Sequence, residues 1–319
     1  MMFHYTSQKG FEGIVKEDGI HLWFSDARYM NDSSELLSAK SFLDQAADEL
    51  LEEKKIDASL HYDIINTEYS PVKIDGAYYI SKKARKNSKG VIHEACIQLQ
   101  SHYEHKYVCC FSREPDSLPM WNYYLKTDGH GYAVGIDLSD ITVDTFKIAG
   151  NTTNKADFEL STEISDVTYD NREKLRILKN AILDLSDQYA EYPDDITKKQ
   201  ECLVAFQNKF ETYSTIFKDY HFKYENELRM ISTVKSSDSY IDNQHRDDIK
   251  FRLSHGLTIP YFELIIPHKQ ALKSVSISPM IGLNSDTDFV IESMSVYLHN
   301  LGYTHDIEIR CSEIPLRYY

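Results

Sequence analysis

At 319 residues the chain is long enough to bury a large core, as one elaborated domain or as two. Hydrophobic content of 42% with 12% aromatic residues excludes a disordered chain. A net charge of -15 excludes a broad basic surface that wraps nucleic acid and leaves room only for a local basic channel.

Five cysteines, Cys96, Cys109, Cys110, Cys202 and Cys311, form no framework spacing, and two are adjacent in an apolar run. That usage fits reduced, buried thiols in the cytosol. The run of about 18 apolar residues that a membrane span needs is not present. The opening MMFHYTSQKG lacks the basic, apolar, small-residue order of a secretion signal, so a cytoplasmic protein with no membrane partner is expected.

Met2 to Thr6 reads as a strand, followed by a brief helix around Gly10 to Lys16, a turn at Asp18-Gly19 and a strand over Ile20 to Ser25. Asn31, Asp32 and Ser33 or Ser34 are placed to cap a helix starting near Glu35, whose Leu36, Leu37, Phe42, Ala46, Leu50 and Leu51 recur at near-helical spacing. Ser81 to Lys89 is a basic run of loop composition. Its bland reading is a solvated surface, and its functional one a lip attracting phosphate. Gly90 to Tyr103 is expected to be helical, and His102 and His105 on it read as a solvated helix face rather than a metal pair. Tyr107 to Phe111 reads as an apolar strand, Leu118 to Leu125 as a short helix, and Tyr132 to Leu138 as a strand after a glycine turn.

Leu175, Leu178, Ile182, Leu185 and Tyr189 recur at steps of three and four, as do Leu203, Phe206, Phe210, Tyr213 and Phe217. With YPDD as the break, this is a core-packing helical hairpin inserted over about residues 171–218. Strands follow at Arg229 to Val234, Ile249 to Leu253, Tyr261 to Ile266 and Ser274 to Ser278. A helix over Asp288 to Leu301, capped by Thr287, and a strand over Ile307 to Ser312 close the chain. The fold class is α+β, with mixed or antiparallel sheets and a helical hairpin insertion, in one domain over residues 1–319.

The stretch His221 to Ile231, HFKYENELRMI, is the most suggestive. On an extended chain Glu225, Glu227 and Arg229 share one face, and Leu228 and Met230 point the other way. Like charges so close disfavour joint ionisation, so Arg229 or a lysine should hold one glutamate charged while the other shifts upward. The bland alternative is an exposed edge strand with a solvated ion-pair ladder. No phosphate-binding P-loop, nucleophile elbow, HExxH or paired CxxC occurs, and GHGYAVG enters a strand, unlike a dinucleotide loop.

Four separated pieces resemble the bacterial family catalogued as domain of unknown function 2971. They are Tyr5-Thr6; Trp23 with Ser25-Asp26, and Asn31-Asp32 with Glu35; Cys110-Phe111-Ser112 with Met120-Trp121 and Tyr124; and Lys223 with Glu225, Glu227 and Arg229. Gly131, Gly135, ISPMI and SEIPLR extend the resemblance over essentially the full length. A more distant similarity is to ADP-ribosyltransferases and implies a core of that kind, with NAD as substrate. By that likeness Glu227 faces the nicotinamide ribose as the catalytic carboxylate, Glu225 activates the acceptor and Arg229 keeps one of the two charged. His4 would hold the adenosine ribose, and Tyr5, Trp121 or Tyr124 would wall the cleft. Thr6, Ser25, Asn31, Asp32 and Ser112 complete the expected nucleotide contacts.

The resemblance thus implies an ADP-ribosyltransferase or NAD glycohydrolase acting on a protein or nucleic-acid acceptor, with a role in bacterial conflict or defence against phage. Two other readings stay open. One is a non-catalytic module binding a nucleotide or phosphorylated ligand through Arg229 and the basic loop. The other is a Mg²⁺-dependent nuclease or phosphotransfer enzyme using Asp26, Asp32, Glu35 and the late glutamates.

Overall fold

A computed structural model describes residues 1–29, 33–66, 72–74, 77–81, 85–86, 92–93, 96–98, 104–124, 130–142, 145–150, 159–235, 248–254, 256–279 and 286–315. Its framework is α+β, a twelve-stranded mixed sheet with helices packed on both faces. The sheet is built outward from the strand Glu104–Ser112. One edge of that strand pairs antiparallel along its length with Glu227–Lys235, in register from Glu227 opposite Ser112 to Lys235 opposite Glu104. The other edge is shared by two strands. Gly19–Asp26 pairs at Val108 and Tyr107, and Met2–Ser7 pairs at Ser112.

The sheet therefore forks. One wing continues from Gly19–Asp26 to Leu257–Ile266, which carries Lys250–Ser254 and Lys147–Ile148 at its edges. The other continues from Met2–Ser7 to Gly131–Ile136, Leu272–Ile277 and, in parallel, Glu308–Cys311. Leu22, Phe24, Phe262 and Leu264 of the first wing share a core with Val134, Ile136, Val275 and Ile277 of the second. Tyr107, Cys109, Phe111, Leu228 and Met230 close this core from the trunk of the fork. The period-two alternation of both trunk strands thus sends Tyr107, Cys109, Phe111, Leu228 and Met230 to one face and Cys110, Ser112, Glu227 and Arg229, with Val108 and Ile231, to the other.

Helices form a second core. Ser33–Glu52 and Ala58–Asn66 bury Leu43, Leu50, Leu60 and Ile64 against Leu178, Ile182, Leu203, Phe206 and Phe210 of the hairpin Asn171–Glu191 and Ile196–Ser214. Asp170 and Asp195 cap the two hairpin helices, each accepting from a backbone N–H three residues on.

The structure corrects the sequence reading at several points. Ile92–His93 and Cys96–Gln98 are strands, so the helix expected over Gly90–Tyr103 does not form at its described residues. There the β-branched Ile92 and Ile97 meet strand partners, and pairing overrides local preference. His105 lies on the trunk strand rather than a helix, while His102 lies outside the described residues. Asp286, not Thr287, caps the last helix, Thr287–Asn300. Glu159–Asp166 is a strand that the sequence pattern does not announce, because it pairs only with Glu227–Lys235 and most of its described side chains face water.

Candidate functional site

The hairpin's second helix ends at Ser214, and the chain crosses the trunk of the fork through Thr215 to Lys218. A parallel bridge between Thr168 and Phe217 fixes this crossing, with Thr168 N–H donating to Ile216 O and Lys218 N–H to Thr168 O. The buried Lys174 ammonium donates to Lys218 O at 2.7 Å. A 3-10 turn, Tyr220–Glu225, then leads to Asn226, whose φ of 44° and ψ of 53° lie in the left-handed region. Asn is among the few non-glycine residues that adopt this conformation readily. Its amide donates to Glu114 Oε1 at 2.8 Å, and its carbonyl accepts from Arg113 N–H.

Glu225 thus ends a turn and Glu227 begins a strand, which corrects the expectation that both lie on one extended segment. Their carboxylates still converge. Lys218 Nζ donates to Glu225 Oε2 at 2.5 Å and to Glu227 Oε2 at 2.9 Å. Arg229 forks onto Glu227 from its own strand, Nε to Oε1 at 2.8 Å and Nη2 to Oε2 at 3.3 Å, and donates through Nη1 to the carbonyl of Thr215 at the helix end. Glu227 and Arg229 are buried, at 5% and 2% exposure. Tyr169 accepts the Glu227 N–H through its hydroxyl at 3.0 Å. From the trunk strand, the Cys110 thiol hydrogen-bonds the Glu227 carboxylate.

These surroundings separate the two carboxylates. Burial pushes the Glu227 pKa up, but Arg229 and Lys218 outweigh it and bring the group down to about 2. Burial raises Glu225 above its usual range, and Lys218 offsets that only in part. Burial and then Glu227 push the Cys110 thiol upward, which keeps it a neutral donor. The Lys218 ammonium is held charged, because the two glutamates outweigh the cost of burial. One carboxylate is thus held as an anion beside another whose affinity for a proton is raised by burial.

Of the other residues singled out in the sequence, Tyr124 joins this cluster. Its hydroxyl feels Cys110, Glu227 and Glu225, and the ring is partly exposed. His4 stands at the fork, where its Nδ1 donates at 2.8 Å to the carbonyl of Cys110, at the level where the trunk edge passes from one wing to the other. Burial lowers the His4 pKa. Ser112 is buried and braces the site through backbone, donating to Glu225 O at 2.7 Å and accepting from Glu114 N–H. Trp121 is fully buried, with its indole N–H on Asp116 and its ring against Tyr5 at 4.7 Å. Tyr5 is buried too, donating to Glu114 O and accepting from Ser117 N–H. Neither ring can wall a cleft, so of the three aromatics expected to do so only Tyr124 is exposed. Thr6 packs over Gly10, and Ser25 accepts from Arg252 on the other wing; neither reaches the carboxylates. Asn31 and Asp32 lie outside the described residues.

Comparison with known proteins bears on this stretch of chain. Residues 120–230 match the family described as "Protein of unknown function (DUF2971)". The match spans about a third of the chain rather than the full length that the resemblance implied. It takes in Trp121, Tyr124, Lys218, Glu225, Glu227 and Arg229, so the matched segment holds most of the carboxylate cluster. No curated protein matches the chain. No solved structure matches it either, and the ADP-ribosyltransferase-like core rests on the resemblance alone.

Lys218 and Tyr169 are not singled out in the sequence, and Cys110 is read there only as a buried thiol and as part of the Cys110-Phe111-Ser112 piece. Lys218 precedes the glutamates by seven and nine residues across an irregular turn, and Cys110 looked like an ordinary core thiol. Strand alternation was the available signal for Cys110, since it places the thiol on the face opposite Cys109.

Proposed function

We propose that the chain is an enzyme of glycosyl transfer from NAD, an ADP-ribosyltransferase or an NAD glycohydrolase, with its chemistry at Glu225 and Glu227. One observation carries this reading: the two carboxylates share Lys218 yet have their proton affinities shifted in opposite directions, Glu227 down and Glu225 up. Transfer through an oxocarbenium-like state needs a fixed negative charge near the sugar and a second carboxyl that exchanges a proton. NAD supplies a glycosidic bond whose cleavage releases neutral nicotinamide together with the bonding electron pair.

Glu227, held by Arg229, Lys218 and the Cys110 thiol, is the fixed charge and needs no reorganisation as positive charge develops. Glu225 takes the proton of the attacking water or acceptor hydroxyl as the new C–O bond forms. It is the more accessible of the two, its side chain 14% exposed against 5% for Glu227. Tyr124 offers a ring face at the same place, whereas His4, which the resemblance assigns to ribose, packs against Cys109 and Phe111 on the opposite face of the trunk strand and does not join the carboxylates.

The rival readings find less support. An anion-binding module needs Arg229 for its ligand, but that guanidinium is buried and engaged with Glu227 and Thr215. A Mg²⁺ site needs uncommitted carboxylates, and Glu225 and Glu227 already hold Lys218 and Arg229. Incubation with NAD and mass detection of free nicotinamide tests the proposal. Release that continues in the presence of chelator supports it, and activity on nucleic acid that requires Mg²⁺ contradicts it.

A further inference from the structure

Residues opposite one another on paired strands share a sheet face. By register, Trp23 faces Glu263, Ser25 faces both Tyr261 and Val108, Lys250 faces Tyr261, and Lys147 faces Ile265. All of these lie on the face away from the core that the two wings share, the face that also carries Cys110 and Glu227. On the wing beyond the fork, this face is partly open.

Two features there serve no evident packing purpose. Trp23 is 49% exposed and lies stacked on the buried Tyr261, ring centroids 4.5 Å apart at 30°. One side of the indole is thus fixed and the other is open to solvent. Around it stand Lys16, Lys147, Lys250 and Arg252. Lys16, Lys250 and His21 all converge on the single carboxylate of Glu263. Among the described residues Arg252 donates to Ser25 and neither it nor the exposed Lys147 pairs with a carboxylate.

We propose that this patch is a binding site for a planar base carrying a phosphate, with Trp23 as the stacking platform and Lys147 and Arg252 facing the phosphate. An exposed aromatic ring among cations on an open sheet face is the arrangement that holds bases without reading their sequence. Stacking on such a ring contributes roughly 1–3 kcal/mol per base. The same chemistry is offered by a free nucleotide and by single-stranded nucleic acid, and a strand would place its next residues toward the fork and the Glu227 site. The site goes beyond the proposed NAD chemistry, and its readout is binding, so either can fail without the other.

The chain has two tryptophans, and Trp121 is fully buried, so a change in intrinsic fluorescence on binding reports Trp23. Titration with oligothymidylate should quench it saturably. Anisotropy of the labelled oligomer should then show affinity falling with salt at a log-log slope of about -1.4, the value for two neutralised phosphates on a single strand. Trp23→Ala should abolish binding while Trp23→Phe retains most of it, and Lys147→Glu, at an exposed position, should weaken it about tenfold. Displacement of the labelled strand by AMP extends the site to free nucleotides; failure of AMP to displace it confines the site to strands. Absence of saturable binding by both probes would overturn the proposal. So would equal binding of a duplex, or undiminished binding by a Trp23→Ala protein that melts like the wild type.

Discussion

Glu225 and Glu227 grip the same ammonium group, that of Lys218, at 2.5 and 2.9 Å from different backbone conformations. The first ends a 3-10 turn, the second starts a strand, and the left-handed Asn226 turns the chain between them. Their shared cation does not make them equivalent. Arg229 donates a second charged hydrogen bond to Glu227, which holds that carboxylate as an anion, while burial keeps the proton affinity of Glu225 raised.

Stability and activity should therefore part at this pair. Glu227→Gln leaves the buried Arg229 without its counter-charge, and losing one partner of a buried ion pair costs roughly 3–5 kcal/mol. Urea denaturation should show that loss. Glu225→Gln, at the more exposed position, should change stability by less than about 1 kcal/mol and act on activity alone. Equal destabilisation by the two variants would contradict the assignment.

Acid should unfold the protein through its paired carboxylates. Burial raises both Glu227 and Glu263; Arg229 and Lys218 then bring Glu227, and Lys250, His21 and Lys16 bring Glu263, down from 4.5 to about 2. A group depressed in the folded state contributes stability that is fully present above its unfolded pKa and is lost as pH falls through the folded one. The loss should run from about pH 4.5 down to about pH 2, and for Glu227 it amounts to roughly 3 kcal/mol. Glu263→Gln should be less stable than wild type at about pH 6 and approach it at about pH 3.

Much of this was legible in the sequence. The alternation in ENELRMI correctly sends Leu228 and Met230 to the core and Glu227 and Arg229 to the opposite face. The hairpin stripes emerge as helices because Leu178, Ile182, Phe206 and Phe210 repeat at helical spacing on one side. Asn226 hid the conformation of Glu225, since a single left-handed residue reverses the chain without disturbing the spacing of charges. Trp121 misled because an aromatic residue in a short helix carries no local sign of whether its ring meets solvent or core. The fork is a matter of long-range pairing, where Ser25 and Phe3 reach the same strand edge from different parts of the chain, and no local pattern encodes that.

The turn at Asn226 makes its own prediction. Asn226→Gly should keep both the fold and the convergence on Lys218. Asn226→Val, β-branched in a left-handed conformation, should cost about 1–2 kcal/mol by thermal or urea unfolding and reduce activity with it. A stable and fully active valine variant would show that the turn does not set the carboxylate pair.

Lys218→Met removes the cation that offsets the burial of Glu225. The Glu225 pKa should then rise further, moving the acidic limb of any pH-activity profile toward neutrality, because more of the base is protonated at a given pH. An unmoved limb would mean that Glu225 is not the titrating base.

The most direct measurement is nicotinamide release from NAD by wild type, Glu225→Gln and the exposed control Glu173→Gln, run side by side. Removing a general base costs typically about 100-fold or more. The account predicts release by wild type and by the Glu173 variant, with a loss of that order in a folded Glu225→Gln protein. No release from wild type, or undiminished release from Glu225→Gln, would contradict it.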